Sequence, residues 1–273
     1  MNARELTDQI AAKLAAEVRR NGDIIPYIAE DGVYKTDMRQ KNLSWWTNGF
    51  WAGLLWQMYH AVGVAEFKAT AEKTEGWLDE AMADFTGLHH DVGFMWMLSA
   101  VADYRLTGNE KSRIRAMHAA TLLAGRYNPN GRFLRAWNGD KTGWMIVDCL
   151  MNLSLLYWAS DETGDPRYAE IAQNHADTAL RVLLRPDGSC NHIAVLDPVT
   201  GELMGAPAGQ GYAPGSSWSR GQSWAVYGFA LSAKHTGEAR YLEAAKRSAH
   251  YFIANAATHN WEPLDRKSTR LNS

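Results

Sequence analysis

Cysteine is nearly absent from this chain: Cys149 and Cys190 are its two among 273 residues. Two cysteines cannot build a disulfide framework and these lack zinc-ligand spacing, so reduced core thiols are expected. An excess of one charge is missing as well. The 28 Lys and Arg residues against 30 Asp and Glu leave a formal net charge of -2, which gives nucleic acid or an acidic membrane no electrostatic footprint. A small neutral or anionic ligand remains as the expected partner. No run approaches the roughly 18 apolar residues of a membrane span. The start, Met1-Asn2-Ala3-Arg4-Glu5-Leu6, has no basic stretch leading into an apolar signal segment. A cytoplasmic protein is the expectation. The sequence also has no glycine-rich phosphate loop and no Gly-x-Ser-x-Gly elbow. Strand signals are scarce: Arg132 to Arg135 and Cys190 to Ile193 are two short stretches that suit a brief pairing.

What the chain has in quantity is aromatic surface and helical repetition. Twelve tryptophans and eleven tyrosines exceed what a core of this size needs, and flat amphipathic rings are what sugar faces stack on. Four segments share a small-residue turn followed by a charged, Ala-rich helix, running Glu66 to Met82, Lys111 to Leu123, Tyr168 to Leu183 and Tyr241 to Ile253. An aromatic, almost wholly apolar helix precedes each turn: Trp46 to Tyr59, Val92 to Tyr104, Trp144 to Trp158 and Trp218 to Leu231. Helices apolar all round belong inside and helices with one wet face belong outside, so the unit is an inner helix, a glycine turn and an outer helix. Gly63, Gly108, Gly164 and Gly237 stand where a left-handed residue closes a helix. Such units form either a closed α/α toroid or an open solenoid.

With a first outer helix over Ala3 to Arg20, about nine helices are legible against the twelve of a six-hairpin toroid. After Trp261-Glu262-Pro263 the sequence turns basic and loses its apolar period. Residues 264–273 therefore read as a non-native tail of adapter or vector origin, and residues 1–263 as one catalytic domain whose last helices are absent. The expected class is all-α, C-terminally truncated.

Polar residues that an apolar helix does not explain cluster just before, or early in, the inner helices. In His89-His90-Asp91-Val92-Gly93-Phe94 an acid immediately precedes an apolar stretch. An N-cap role explains Asp91 as well as a functional one does. His89, His90 and Asp91 are set aside as a metal site, because consecutive side chains diverge and no third histidine stands at ligand spacing. In Trp144-Met145-Ile146-Val147-Asp148-Cys149-Leu150 an acid lies inside an apolar helical run, where an unpaired carboxylate is costly and points to function. Arg220 and Gln222 open another inner helix beside Trp218 and Trp224, offering planar donors and stacking faces. An arginine at a helix start opposes the dipole, so anion binding explains it better than solvation. Trp45 and Trp46 begin the first inner helix, and His192 stands in a loop between polar neighbours.

Three of these segments, His90-Asp91-Val92-Gly93-Phe94, Ile146-Val147-Asp148-Cys149-Leu150-Met151-Asn152 and Ser217-Trp218-Ser219-Arg220-Gly221-Gln222-Ser223-Trp224, occur in the order seen in the unsaturated glucuronyl hydrolases of glycoside hydrolase family 88, which the chain resembles from about Trp45 to Trp261. The resemblance implies an (α/α)6 toroid of alternating inner and outer helices that needs no metal or cofactor. It implies a hydrolase that removes a 4,5-unsaturated uronic acid from the non-reducing end of lyase-generated oligosaccharides. Asp148 would then be the general acid and base, and Asp91 the second essential carboxylate. His90, His192, Gln210, Arg220, Trp224 and either Trp46 or Trp45 would bind the substrate, with Trp46 preferred. A hydrolase of unsaturated galacturonyl-rhamnose and a non-catalytic helical repeat scaffold are the alternatives.

Overall fold

The computed structural model describes residues 2–258; the 264–273 tail lies outside them. The described chain is a succession of helices divided into two compact units, residues 1–119 and 120 onward. No described helix is long and apolar enough to cross a membrane.

The first unit starts with α1 (Ala3–Asn21), whose Asn2 and Glu5 form a reciprocal capping box. A two-residue hairpin, β1 (Ala29–Glu30) and β2 (Val33–Tyr34), and a single turn, α2 (Met38–Lys41), lead to α3 (Asn48–Val62) and α4 (Ala65–Asp84). Then follow α5 (Val92–Leu98), α6 (Ala100–Thr107) and α7 (Glu110–Ala124), the last containing the boundary between the units. Leu14 and Val18 of α1, Trp51, Leu55, Trp56 and Met58 of α3, and Phe67 and Ala71 of α4 form one buried cluster. The second inner helix is broken where one continuous helix over Val92 to Tyr104 was expected. Ser99 adopts φ −100°, ψ −86° at the break, and its buried hydroxyl donates to the Met95 carbonyl at 2.6 Å. The facing helix comes very close here, since a Cβ on Gly49 would stand 2.3 Å from the Met95 carbonyl oxygen.

The second unit begins with β3 (Tyr127–Asn128) and β4 (Phe133–Leu134), a small antiparallel pair. Then come β5 (Trp144–Ile146), α8 (Cys149–Thr163), α9 (Arg167–Val182), β6 (Ile193–Leu196), β7 (Leu203–Gly205), α10 (Ser219–Thr236) and α11 (Ala239–Thr258). The two strand-like stretches of the sequence do not pair with each other. Phe133–Leu134 pairs with Tyr127–Asn128, while Ile193–Leu196 pairs antiparallel with Trp144–Ile146 on one side and Leu203–Gly205 on the other.

The alternation of helix types holds. From Cys149 to Ala159 every residue of α8 is buried except the half-buried Met151, whereas α9 buries Tyr168, Ala172, His175, Ala176, Ala179 and Val182, the single stripe of a one-sided helix. The inner helices are not all sealed, for Phe50 and Leu54 of α3 are 37% and 46% exposed. Each expected closing glycine, Gly63, Gly108, Gly164 and Gly237, sits at φ near +70° after its helix. Both cysteines are buried and free, and burial pushes the Cys190 thiol up to about 12, far from a reactive thiolate.

The outer helix α4 carries an acid on its buried face. Glu75 is 1% exposed; it accepts from Trp56 Nε1 at 2.8 Å and from Ser112 Oγ at 2.8 Å, and Arg115 Nη1 lies 3.3 Å away. Burial, reinforced by the nearby Asp103 carboxylate, raises its pKa from 4.5 to about 7 despite those donors. With the folded pKa above the unfolded one, Glu75's contribution is fully present below pH 4.5 and lost as pH rises to about 7. At about 1.4 kcal/mol per unit, that window is worth roughly 3 kcal/mol. Glu75→Gln, which stays neutral, is expected to flatten this part of the stability curve. Urea denaturation of both proteins from pH 4.5 to 7.5 checks it, and parallel curves contradict the assignment.

Candidate active site

The first unit places Asp91 immediately before α5, at the N-cap, yet its side chain makes no capping hydrogen bond. The carboxylate turns instead toward the two residues preceding it. His90 Nε2 lies 3.0 Å from Oδ1 and His89 Nδ1 lies 3.5 Å from Oδ2. The two imidazoles stack at 5.2 Å, and His90 is almost wholly buried. This corrects the expectation that consecutive side chains diverge: donor atoms of His89, His90 and Asp91 all lie within 4.8 Å of one another. Stacking the rings brings both imidazoles over one carboxylate, a set of two nitrogens and an oxygen with the chemistry to hold a borderline divalent cation.

Trp46 meets Phe94 of α5, three residues beyond Asp91, at 5.4 Å between centroids, and Phe50 edge-on at 5.5 Å. Trp45 turns elsewhere and meets the ring of Tyr27 at 6.1 Å. The preference for Trp46 over Trp45 thus has a packing basis, since Trp46 shares the aromatic cluster of the helix that follows Asp91.

In the second unit the acid expected inside a helix stands at its start. Trp144–Ile146 is a strand, and Asp148 is the N-cap of α8, again without a capping hydrogen bond from its side chain. Pairing causes the difference: Trp144, Met145 and Ile146 face Val195, Ala194 and Ile193, and the Val147 N–H then donates to the His192 carbonyl at 3.0 Å. Asp148 stands two residues after Ile146, the last ladder residue of one strand, and His192 immediately before Ile193, the first of the other. Asp148 Oδ2 and His192 Nε2 end 3.5 Å apart, both buried.

A second ring of contacts closes on His192. The Gln210 backbone N–H donates to His192 Nδ1 at 2.9 Å, and the Trp218 indole packs on the imidazole at 4.6 Å. Arg220, in the first turn of α10 as the sequence indicated, sets its guanidinium 4.2 Å above the Trp218 ring and donates from Nη2 to Gln210 Oε1 at 2.8 Å. Trp224 lies one turn further on the same helical face, half-buried. Gln222, which accompanied Arg220 in the sequence argument, is buried and donates to the carbonyls of Gly188 and Ser248, a structural role.

The structure thus joins His90, Asp91 and Trp46 within one unit, and Asp148, His192, Gln210 and Arg220 within the other. Trp218, offered by the sequence beside Arg220 as a stacking face, is the ring that the Arg220 guanidinium covers. Trp137 and Trp144 pack on the buried cluster of Ala136, Ile146 and Ile193 and meet edge-on at 5.8 Å, each with the Lys141 ammonium 4.9 Å from its ring.

The sequence model of Glycosyl Hydrolase Family 88 matches residues 19–266. The chain belongs to this family. It is 38% identical over 245 residues to the unsaturated glucuronyl hydrolase of Bacillus sp. (strain GL1), covering 88% of this chain and 64% of that protein. It is 38% identical over 212 residues to the unsaturated chondroitin disaccharide hydrolase of Streptococcus pyogenes serotype M1, covering 76% and 53%. The crystal structure of the Bacillus sp. GL1 enzyme superposes with a TM-score of 0.85 at 36% identity, covering 91% of this chain and 67% of that one. The fold class read from the sequence, all-α with alternating helices of the α/α toroid kind, is that of this solved relative. The family 88 chain thus spans between about half and two thirds of the length of these relatives.

Trp218 is 1% exposed and touches both His192 and Arg220. Trp218→Ala is expected to cost about 3–5 kcal/mol of stability, the usual range for emptying a large buried aromatic site. Chemical denaturation measures it; a loss below about 1 kcal/mol would mean that the loops collapse around the vacated space.

Proposed function

We propose that this protein is a glycoside hydrolase that removes a 4,5-unsaturated uronic acid from the non-reducing end of lyase-generated oligosaccharides, by hydrating the C4=C5 enol ether. The observation that carries this reading is the Asp148 carboxylate, buried beside His192 at the start of α8 and making no capping bond. A carboxyl group so placed, facing the positive end of a helix dipole yet free of backbone donors, has its oxygens available for proton transfer. The names of the family 88 relatives, one a glucuronyl and one a chondroitin disaccharide hydrolase, agree with this substrate class.

The chemistry needs one proton donor and one activated water. Asp148 protonates C4, which leaves the positive charge shared between C5 and the ring oxygen. The same group, now a carboxylate, takes a proton from the water that adds at C5. The hemiketal formed at C5 opens to a ketone, leaving at C1 a hemiacetal that expels the aglycone and becomes an aldehyde. Nothing is displaced directly at C1, so the carboxylate spacing that separates retaining from inverting glycosidases does not govern this reaction.

Asp91, oriented by His89 and His90, holds sugar hydroxyls and favours the developing cation. Arg220, kept planar over Trp218 and tied to Gln210, receives a carboxylate or sulfate of the substrate. Trp46 and Trp224 offer stacking faces to the sugar rings. Two buried free thiols accord with a cytoplasmic location.

Incubation with unsaturated chondroitin, gellan and rhamnogalacturonan oligosaccharides, followed by loss of the enol-ether absorbance, tests the reading. Turnover of a uronyl-glycosaminoglycan disaccharide is expected, and turnover of the rhamnogalacturonan product alone would transfer the protein to the other specificity. Asp148→Asn, at unchanged thermal stability, is expected to lower kcat at least about 100-fold, as removal of a general acid does. Retention of full activity would remove Asp148 from the mechanism.

A further inference from the structure

Three facts meet at the loop that follows β7. The Gln210 backbone N–H donates to His192 Nδ1 at 2.9 Å. Gly209, just before it, has φ +60° and lies so close to the imidazole that a Cβ there would stand 2.1 Å from Nδ1 and 2.6 Å from Ile193 Cδ1. On the opposite edge of the ring, Nε2 faces Asp148 Oδ2 at 3.5 Å, and neither atom makes a hydrogen bond among the described residues.

A backbone N–H only donates. The nitrogen it reaches must therefore carry a lone pair, which leaves the imidazole proton on Nε2, the edge that looks at Asp148. Adding a proton at Nδ1 would set two N–H groups against each other at 2.9 Å. His192 is thereby fixed as a neutral donor aimed at the carboxyl group. From these contacts we propose that the Gly209–Gln210 turn is a positioning device for the reaction. It locks His192 as the Nε2–H tautomer, and His192 in turn orients Asp148 without itself exchanging protons with the substrate.

The rest of the loop supports this role. Gln210 extends its side-chain carbonyl to Arg220 while its backbone holds His192, so one residue fixes both an anion-binding arginine and the imidazole. Trp218 presses on the ring from one face, which leaves the imidazole little freedom to rotate. The 3.5 Å separation of Nε2 and Oδ2 is long for a hydrogen bond, and catalytic contacts of this kind tighten when substrate excludes water from the site. Any side chain at position 209 would have to adopt a left-handed backbone conformation and push the imidazole aside. To the substrate-binding role that the resemblance implies for His192, this adds a positioning role acting through Asp148.

This inference rests on Asp148 being the proton donor of the proposed reaction, so its test has an arm that needs no substrate. The full chain, labelled with 15N-histidine, is examined by long-range 1H–15N NMR, with His192 assigned by its disappearance in His192→Gln. The expected spectrum has Nδ1 unprotonated and Nε2 protonated; a proton on Nδ1, or an imidazolium near neutral pH, overturns the proposal. In Gly209→Ala the single tautomer should give way to a mixture, and kcat should fall about 10- to 100-fold, the scale of a small misplacement of a reacting group, with KM changed far less.

Because the alanine variant can fail to fold, side-chain mimics at position 192 provide a second arm. Gln places an amide donor where Nε2 stands, and Asn places an acceptor where Nδ1 stands. His192→Gln is expected to keep kcat within about tenfold of the wild type, whereas His192→Asn falls as far as His192→Ala. Equal losses in all three would make His192 a proton carrier or only a substrate ligand and overturn the proposal. A wild type inactive on every unsaturated oligosaccharide would defeat the functional reading alone, with the tautomer still decided by the spectrum.

Discussion

The arrangement of Asp148 and His192 in the second unit depends on the short antiparallel pairing of Trp144–Ile146 with Ile193–Leu196. Three residues of ladder, continued by the Val147 to His192 bond, convert what would be the first turn of an apolar helix into a strand. Helix α8 must then begin at Cys149, which leaves Asp148 at its N-terminus and His192 across the end of the ladder. Without this pairing Asp148 would be an acid inside a buried helix, with no partner close enough to offset the cost of burial. With it, the carboxylate acquires a fixed neighbour and a favourable dipole.

Asp91 and Asp148 reach the same local situation from different surroundings. Each occupies the N-cap of an inner helix and declines the usual N-cap bond. Histidines surround Asp91, with His90 Nε2 at 3.0 Å, while the single imidazole of His192 approaches Asp148. A helix N-terminus favours a carboxylate through the dipole even where the side chain makes no capping bond. The pattern therefore fits acids retained for chemistry better than acids retained for helix stability, for which a capping contact of about 1 kcal/mol would be the expected gain.

Much of the fold was legible in the sequence because its signals are local. Apolar and one-sided helices alternate, each pair is closed by a left-handed glycine, and both features survive in the structure at Gly63, Gly108, Gly164 and Gly237. What could not be read depended on contacts distant in sequence. The strand at Trp144 needs a partner about fifty residues on. The break at Ser99 falls where Gly49 of the facing helix stands against the Met95 backbone. The motifs offered Asp91, Asp148, Arg220 and Trp224 as candidates, but not the fold-back of His89 and His90 onto Asp91, nor the close approach of Gly209 to His192. Both arise from where the folded backbone carries these residues, which no spacing in the sequence records.

The central claim is that the unsaturated sugar is hydrated, with Asp148 delivering a proton to C4 from one fixed side. Turnover of an unsaturated disaccharide in D2O, followed by NMR of the product, tests it directly. The account predicts one deuterium at C4, on a single face of the carbon, because the donor is held in place when the C–H bond forms. Deuterium distributed over both faces, as produced by an enol that tautomerises in solution after direct cleavage at C1, would contradict it.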